Sequence, residues 1–130
     1  MKHVISTTTA PGAVGPYSQA IEANGFVFVS GQLPLDPATG AFVPGGTSEQ
    51  AEQSIKNLLA VLEAAGCKAE DVVKTTVFMI DIGDFGVVHI DLEIIAAQDL
   101  CSGIVIAGRH HGAVLQIKKI DHTHSGFAAA

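Results

Sequence analysis

The residues best suited to hold a small polar substrate sit where an apolar run breaks off. "FVFVSGQLPLDPATG", Phe26 to Gly40, reads as a strand that stops at Ser30-Gly31-Gln32. A glycine there lets a substrate lie against backbone amides, because no side chain intervenes. Ser30 adds a hydroxyl, although a serine at a strand end also bonds backbone readily. Tyr17, the one tyrosine of the chain, stands in the loop upstream. A lone tyrosine is either a hydroxyl donor to a site or a core ring with a partnered hydroxyl. Arg109 is the only arginine and lies in "GRHHG". His110-His111 with His122 and His124 raise the question of zinc, but no acidic or cysteine ligand stands at motif spacing beside them. Cys101 with His110 or His111 would make a nucleophile pair, yet nothing in the spacing brings them together. No metal or cofactor is expected.

The elements that must carry these residues follow from periodicity and breakers. "HVIS" is a short strand candidate. "TTTAPGAVGPYSQAI" reads as a loop, since Pro11, Gly12, Gly15 and Pro16 interrupt regular structure. "GFVFVS" is a strand and "LPLDPATGAFVPGG" a turn-rich connection. A helix is expected from about Ser48 to Ala65, capped by Thr47 or Ser48. Its stripe is Ala51, Ile55, Leu58, Leu59 and Leu62, and Gly66 is its stop. "AEDVVKTTVFMIDI" alternates through Val73, Thr75 and Val77 as a central strand. A second helix is expected after Asp84, with Asp84 as its cap and Phe85, Val88, Leu92 and Ile95 on one face. His89 on that helix reads as a surface or interface histidine. "SGIVIAG" and "GAVLQIKKI" are two further strands, linked through "RHHG". This order predicts an α+β fold, two helices packed on one mixed sheet.

Composition narrows the function classes. A chain of 130 residues is one domain by length, here residues 1–130. Hydrophobic residues make up 48% and charged ones only 15%, with a mean hydropathy of +0.39. No apolar run reaches the ~18 residues that a membrane helix needs. The apolar excess therefore points to a buried subunit interface in a homo-oligomer. A formal charge of −6 disfavours nucleic acid as a partner. Cys67 and Cys101 stand far apart, which suits free thiols in a reducing cytoplasm. The N-terminal "MKHVISTTTAPG" has no apolar signal core.

Three stretches in this order and spacing carry a more specific signal: "APGAVGPYSQAI", "VFVSGQLPLDPATG" and "QAEQSIKNLLAVLEAAGCKAEDVVKTTVFMIDIGDF". From Ala10 to Phe85 the sequence resembles the reactive-intermediate deaminase family, also called the YjgF/UK114 or L-PSP family. The resemblance implies a chorismate-mutase-like α+β subunit. It further implies a homotrimer whose sheets form a central barrel, with clefts between subunits. The implied activity is hydrolysis of 2-imino or enamine acids, such as 2-iminobutanoate and 2-iminopropanoate, to 2-keto acids and ammonia. Some members are described as endoribonucleases or translation inhibitors. The family's site elements fall on Tyr17, Ser30 and Gly31, and a helix position that is often asparagine falls on His89.

After Phe85 the sequence departs from the family pattern. The family arginine that grips the substrate carboxylate would fall at or beside Cys101-Ser102 if "GAVLQIKKI" is laid on the last family strand. A gap-free alignment puts it at Ile106 instead. In the first alignment the family's strand glutamate becomes Gln116, which can orient a water but cannot act as a base. Arg109 is the one guanidinium left to meet a carboxylate. The expected function is imine hydrolysis at reduced strength, with Tyr17 and Gln116 at the reacting group and Ser30, Gly31, His89 and Arg109 around the substrate. The alternatives are a non-catalytic metabolite-binding trimer, or an endoribonuclease or translation inhibitor.

Overall fold

The computed structural model describes residues 1–88, and the backbone of 101–106 and 116–119. Among the described residues six strands form one sheet: β1 (Lys2–Ile5), β2 (Ala20–Ala23), β3 (Phe26–Val29), β4 (Val72–Met79), β5 (Cys101–Ile106) and β6 (Gln116–Lys119). Their order across the sheet is β1-β2-β3-β6-β4-β5. Only β4 and β5 run parallel; the other pairs are antiparallel. The sheet is therefore mixed, as expected. A parallel neighbour needs a crossover of a dozen or more residues, which the chain between Met79 and Cys101 supplies.

The loop expected through Ile21 ends earlier. Ala20–Ala23 is β2, which "AIEA" hides because it has only one β-branched residue. What makes it a strand is the turn behind it. Asn24 (φ 51°) and Gly25 (φ 74°) both take positive φ, the two-residue hairpin geometry whose twist suits the flanking strands. Ala23 pairs with Phe26 directly across that turn.

Helix α1 spans Thr47–Ala64, one residue earlier at each end than the sequence predicts. Its N-cap is Gly46 rather than Thr47 or Ser48. The Glu49 carboxylate takes over the capping role and accepts from the Gly46 N–H at 2.8 Å. Gly45 must stay small for this, since a Cβ on it would meet Glu49 at 2.7 Å. The helix stops at Gly66 as predicted, at φ 71°. Gly66 N–H donates to the Glu63 carbonyl and Cys67 N–H to that of Leu62, the Schellman pattern.

α1 buries Ala51, Ser54, Ile55, Asn57, Leu58, Val61 and Leu62. Leu58, Val61, Leu62 and Val77 are essentially solvent-free, each contributing about 1.5–3 kcal/mol of burial. Val27, Val29, Val72, Thr75, Val77 and Met79 form the buried side of β3 and β4. A register shift between Val72 and Lys74 moves Val73 out of the alternation the sequence suggests. On the other side Phe28 is 46% and Val4 64% exposed. Cys67 is buried, as expected of a packed thiol.

Beyond β4 the 3-10 turn Ile82–Asp84 is capped by Asp81, whose carboxylate accepts from Gly83 N–H at 2.7 Å. The expected cap, Asp84, lies inside that turn and accepts instead from the Thr47 hydroxyl at 2.7 Å. Helical geometry begins at Phe85 and continues to Val88. Val88 is buried, as expected of its face, whereas Phe85 is exposed; Leu92 and Ile95 lie outside the described residues.

Candidate functional site

Two of the predicted site residues meet. Tyr17 and Gly31 line one small cleft, together with Val14, Gln19, Gln32, Leu33 and Leu35. One wall is the loop through Pro11, Gly12 and Val14. The other is the segment Gly31–Leu35, where the chain leaves the sheet after β3. The enclosed volume is about 20 Å³, room for little more than a water. Among the described residues the cleft has no room for an organic acid.

Tyr17 is 47% exposed, which overturns the core-ring reading. Its hydroxyl oxygen accepts from Val14 N–H at 3.3 Å, so its proton points elsewhere. Gly31 is not among the described glycines with positive φ. Ser30 serves the architecture: its Oγ donates to the Ser18 carbonyl at 2.6 Å and its N–H to that of Gln19 at 3.0 Å. Both bonds tie the Tyr17 loop to the end of β3. Gln116 opens β6 opposite Thr76. His89, Arg109, His110, His111, His122 and His124 lie outside the described residues. Among the described residues no cluster of histidine, cysteine and carboxylate has metal-binding geometry.

Three buried amides hold the cleft and carry no role in the sequence reading. Gln19 Oε1 accepts from Thr7 N–H at 2.7 Å, and Nε2 donates to the carbonyls of Thr7 and Pro11 at 3.1 and 2.8 Å. Gln32 Nε2 donates to the Ser30 carbonyl at 3.1 Å. Asn57 Nδ2 donates to the carbonyls of Leu33 and Leu35 at 2.9 and 2.8 Å. The one sequence signal was Asn57 itself, a poor helix former on the apolar side of α1.

The carboxyl of Glu49 is held below its ordinary range by its own backbone N–H and then by that of Gly46. It belongs to the helix cap and stands apart from the cleft.

The family model for Endoribonuclease L-PSP matches residues 7–102. The chain belongs to that family. It is 53% identical over 89 residues to the mouse protein named 2-iminobutanoate/2-iminopropanoate deaminase, covering 68% of this chain and 66% of the relative. A RutC family protein of Sinorhizobium fredii is 60% identical over 81 residues, 62% of this chain and 64% of its own. The matched stretch therefore spans just under two thirds of these curated relatives. Likeness of fold reaches further than likeness of sequence. The YjgF gene product of E. coli superposes with a TM-score of 0.82 at 34% identity, over 91% of this chain and 98% of that one. E. coli TdcF, solved with bound serine, gives 0.83 at 31% identity, over 91% and 98%. The YjgF-type α+β fold is shared.

Proposed function

We propose that this protein hydrolyses small 2-imino acids to 2-keto acids and ammonia, in the cytoplasm, as a homotrimer. The observation that carries this reading is the meeting of Tyr17 and Gly31 on one cleft, in a chain that over 68% of its length is 53% identical to a protein named for that reaction. Hydrolysis of an imine needs no electron transfer. Water adds to the C=N carbon, a proton reaches the nitrogen, ammonia leaves, and the new C–O bond becomes the ketone. The protein's part is to fix the carboxylate, place the water and relay protons.

In this reading backbone amides around Gly31 donate to the carboxylate, and the Tyr17 hydroxyl relays a proton. Gln116 orients the water but cannot take its proton. Arg109 meets the carboxylate in place of the family arginine, His89 borders the substrate, and Ser30 acts by holding the Tyr17 loop. A neighbouring copy completes the small cleft, and the apolar side of the sheet around Val4 and Phe28 faces the trimer axis. TdcF with its bound serine supports a ligand of this size and charge.

A second reading, a trimer that binds a keto acid without turning it over, is favoured by glutamine at position 116 where a glutamate is expected. A nuclease is disfavoured by the net charge of −6. The deciding experiment follows ammonia release from 2-iminobutanoate, generated in situ by a threonine dehydratase. Acceleration over the spontaneous rate supports the hydrolase. Saturable binding of 2-oxobutanoate without acceleration supports the binding protein.

A further inference from the structure

We propose that two buried side-chain amides, Gln19 and Asn57, are positioning residues that set the gap between the two walls of the cleft. The proposal rests on the reading of that cleft as the site for a small 2-imino or 2-keto acid. Neither wall belongs to the sheet, so strand pairing does not fix it. Gln19 is 4% and Asn57 1% exposed, and each spends its amide on backbone carbonyls of one wall. Gln19 grips Thr7 and Pro11, with a longer contact to Ala10 at 3.4 Å. Its own carbonyl accepts from Ser30 N–H at 3.0 Å. One residue thus joins the Tyr17 loop to the end of β3.

Asn57 reaches the second wall from α1, outside the cleft, and holds the carbonyls of Leu33 and Leu35. Its Oδ1 accepts from Gln53 Nε2 at 2.9 Å, which orients the amide with both N–H groups toward the wall. Only a primary amide gives one carbonyl acceptor and two N–H donors in this plane. A carboxylate of the same shape would face two carbonyl oxygens in a buried place, where an unmatched charge is costly. The rest of the wall is turn structure, with bonds such as Val43 N–H to the Pro34 carbonyl at 3.0 Å. The two amides therefore convert a loop-built cleft into one of fixed width, and their loss should weaken ligand binding more than the chemical step.

The test uses Asn57→Asp, Gln19→Glu and the milder Gln53→Met, which frees the Asn57 amide without burying a charge. Two readouts run in parallel on the full chain: steady-state deamination of 2-iminobutanoate, and titration with 2-oxobutanoate followed by tyrosine fluorescence. The chain has one tyrosine and no tryptophan, so the emission reports Tyr17 alone. Asn57→Asp and Gln19→Glu are expected to raise KM and the 2-oxobutanoate Kd about tenfold, and Gln53→Met about threefold, with kcat within about threefold. Lowering the pH should bring Asn57→Asp part of the way back, because a protonated carboxyl regains one donor. If folded Gln53→Met keeps wild-type KM and Kd, the positioning role is wrong even where the wild type deaminates. If the wild type binds 2-oxobutanoate without turnover and the variants lose binding, the clamp stands and the hydrolase reading fails. Wild-type protein that neither binds nor turns over would overturn both.

Discussion

At the scale of the residue, Tyr17 and Ser30 divide the work that the sequence left undivided between them. Tyr17 keeps an exposed ring and a hydroxyl proton free of its Val14 contact. Ser30 spends its proton on the Ser18 carbonyl. Tyr17→Phe is therefore expected to lower kcat of imine hydrolysis about a hundredfold, the low end for a lost proton relay, with little change in thermal stability. Ser30→Ala should act the other way round, costing about 1 kcal/mol in stability for the lost hydrogen bond. Kinetics paired with chemical denaturation would separate the two. Ser54 offers a third test. Its Oγ is fully buried in α1 and has no hydrogen-bond partner among the described residues. Ser54→Ala removes that desolvated hydroxyl, keeps the volume and favours the helix. An unfolding midpoint equal to or above wild type is expected; a large loss would show that the hydroxyl is satisfied after all. Tyr17 and Gly31 stood out in the sequence because they break the surrounding pattern, and the fold brings both to one cleft. Gln19 and Asn57 did not, because an amide shows its role only once its acceptors are brought to it by the fold.

At the scale of the element, the helix cap makes its own prediction. Glu49 has a lowered carboxyl pKa in the folded chain, from the backbone N–H groups of Glu49 and Gly46. A carboxylate whose folded pKa is depressed adds stability above its unfolded value and loses it as pH falls through the folded one. Glu49→Gln should therefore flatten part of the stability curve across the acid side of the carboxylate range and leave the neutral-to-alkaline slope unchanged. The elements themselves were largely legible: α1 from its apolar stripe and Gly66, β3 and β4 from their β-branched runs. β2 was missed because its stability comes from the Asn24-Gly25 turn and its neighbours rather than from its own residues. Asp81 caps the 3-10 turn by reaching Gly83, while the Asp84 carboxylate is engaged by the Thr47 hydroxyl, a long-range contact no local pattern shows.

At the scale of the molecule, fold and sequence part company after β4. The family model ends its match at residue 102, whereas likeness to the E. coli YjgF product extends over 91% of the chain. Backbone pairing of β5 and β6 asks for strand-forming residues, which "CSGIVI" and "QIKK" broadly supply. Strand pairing makes no demand for a particular arginine or glutamate side chain, so the pairing does not depend on either. The expected oligomer follows from the exposed apolar residues on the sheet face away from α1. If the proposed trimer completes each cleft, Phe28→Asp should shift it toward monomer in light scattering and abolish deamination with it. A trimer that persists with Phe28→Asp would place the interface elsewhere.

The most direct measurement is kcat/KM for 2-iminobutanoate, set beside that of the mouse deaminase under the same conditions, on protein whose intact mass matches the sequence. The account predicts ammonia release above the spontaneous rate, at least tenfold slower than the mouse enzyme, and slower again in Tyr17→Phe. No acceleration at any protein concentration would contradict the hydrolase. Turnover equal to that of the mouse enzyme would contradict the view that Gln116 and Arg109 are weak substitutes.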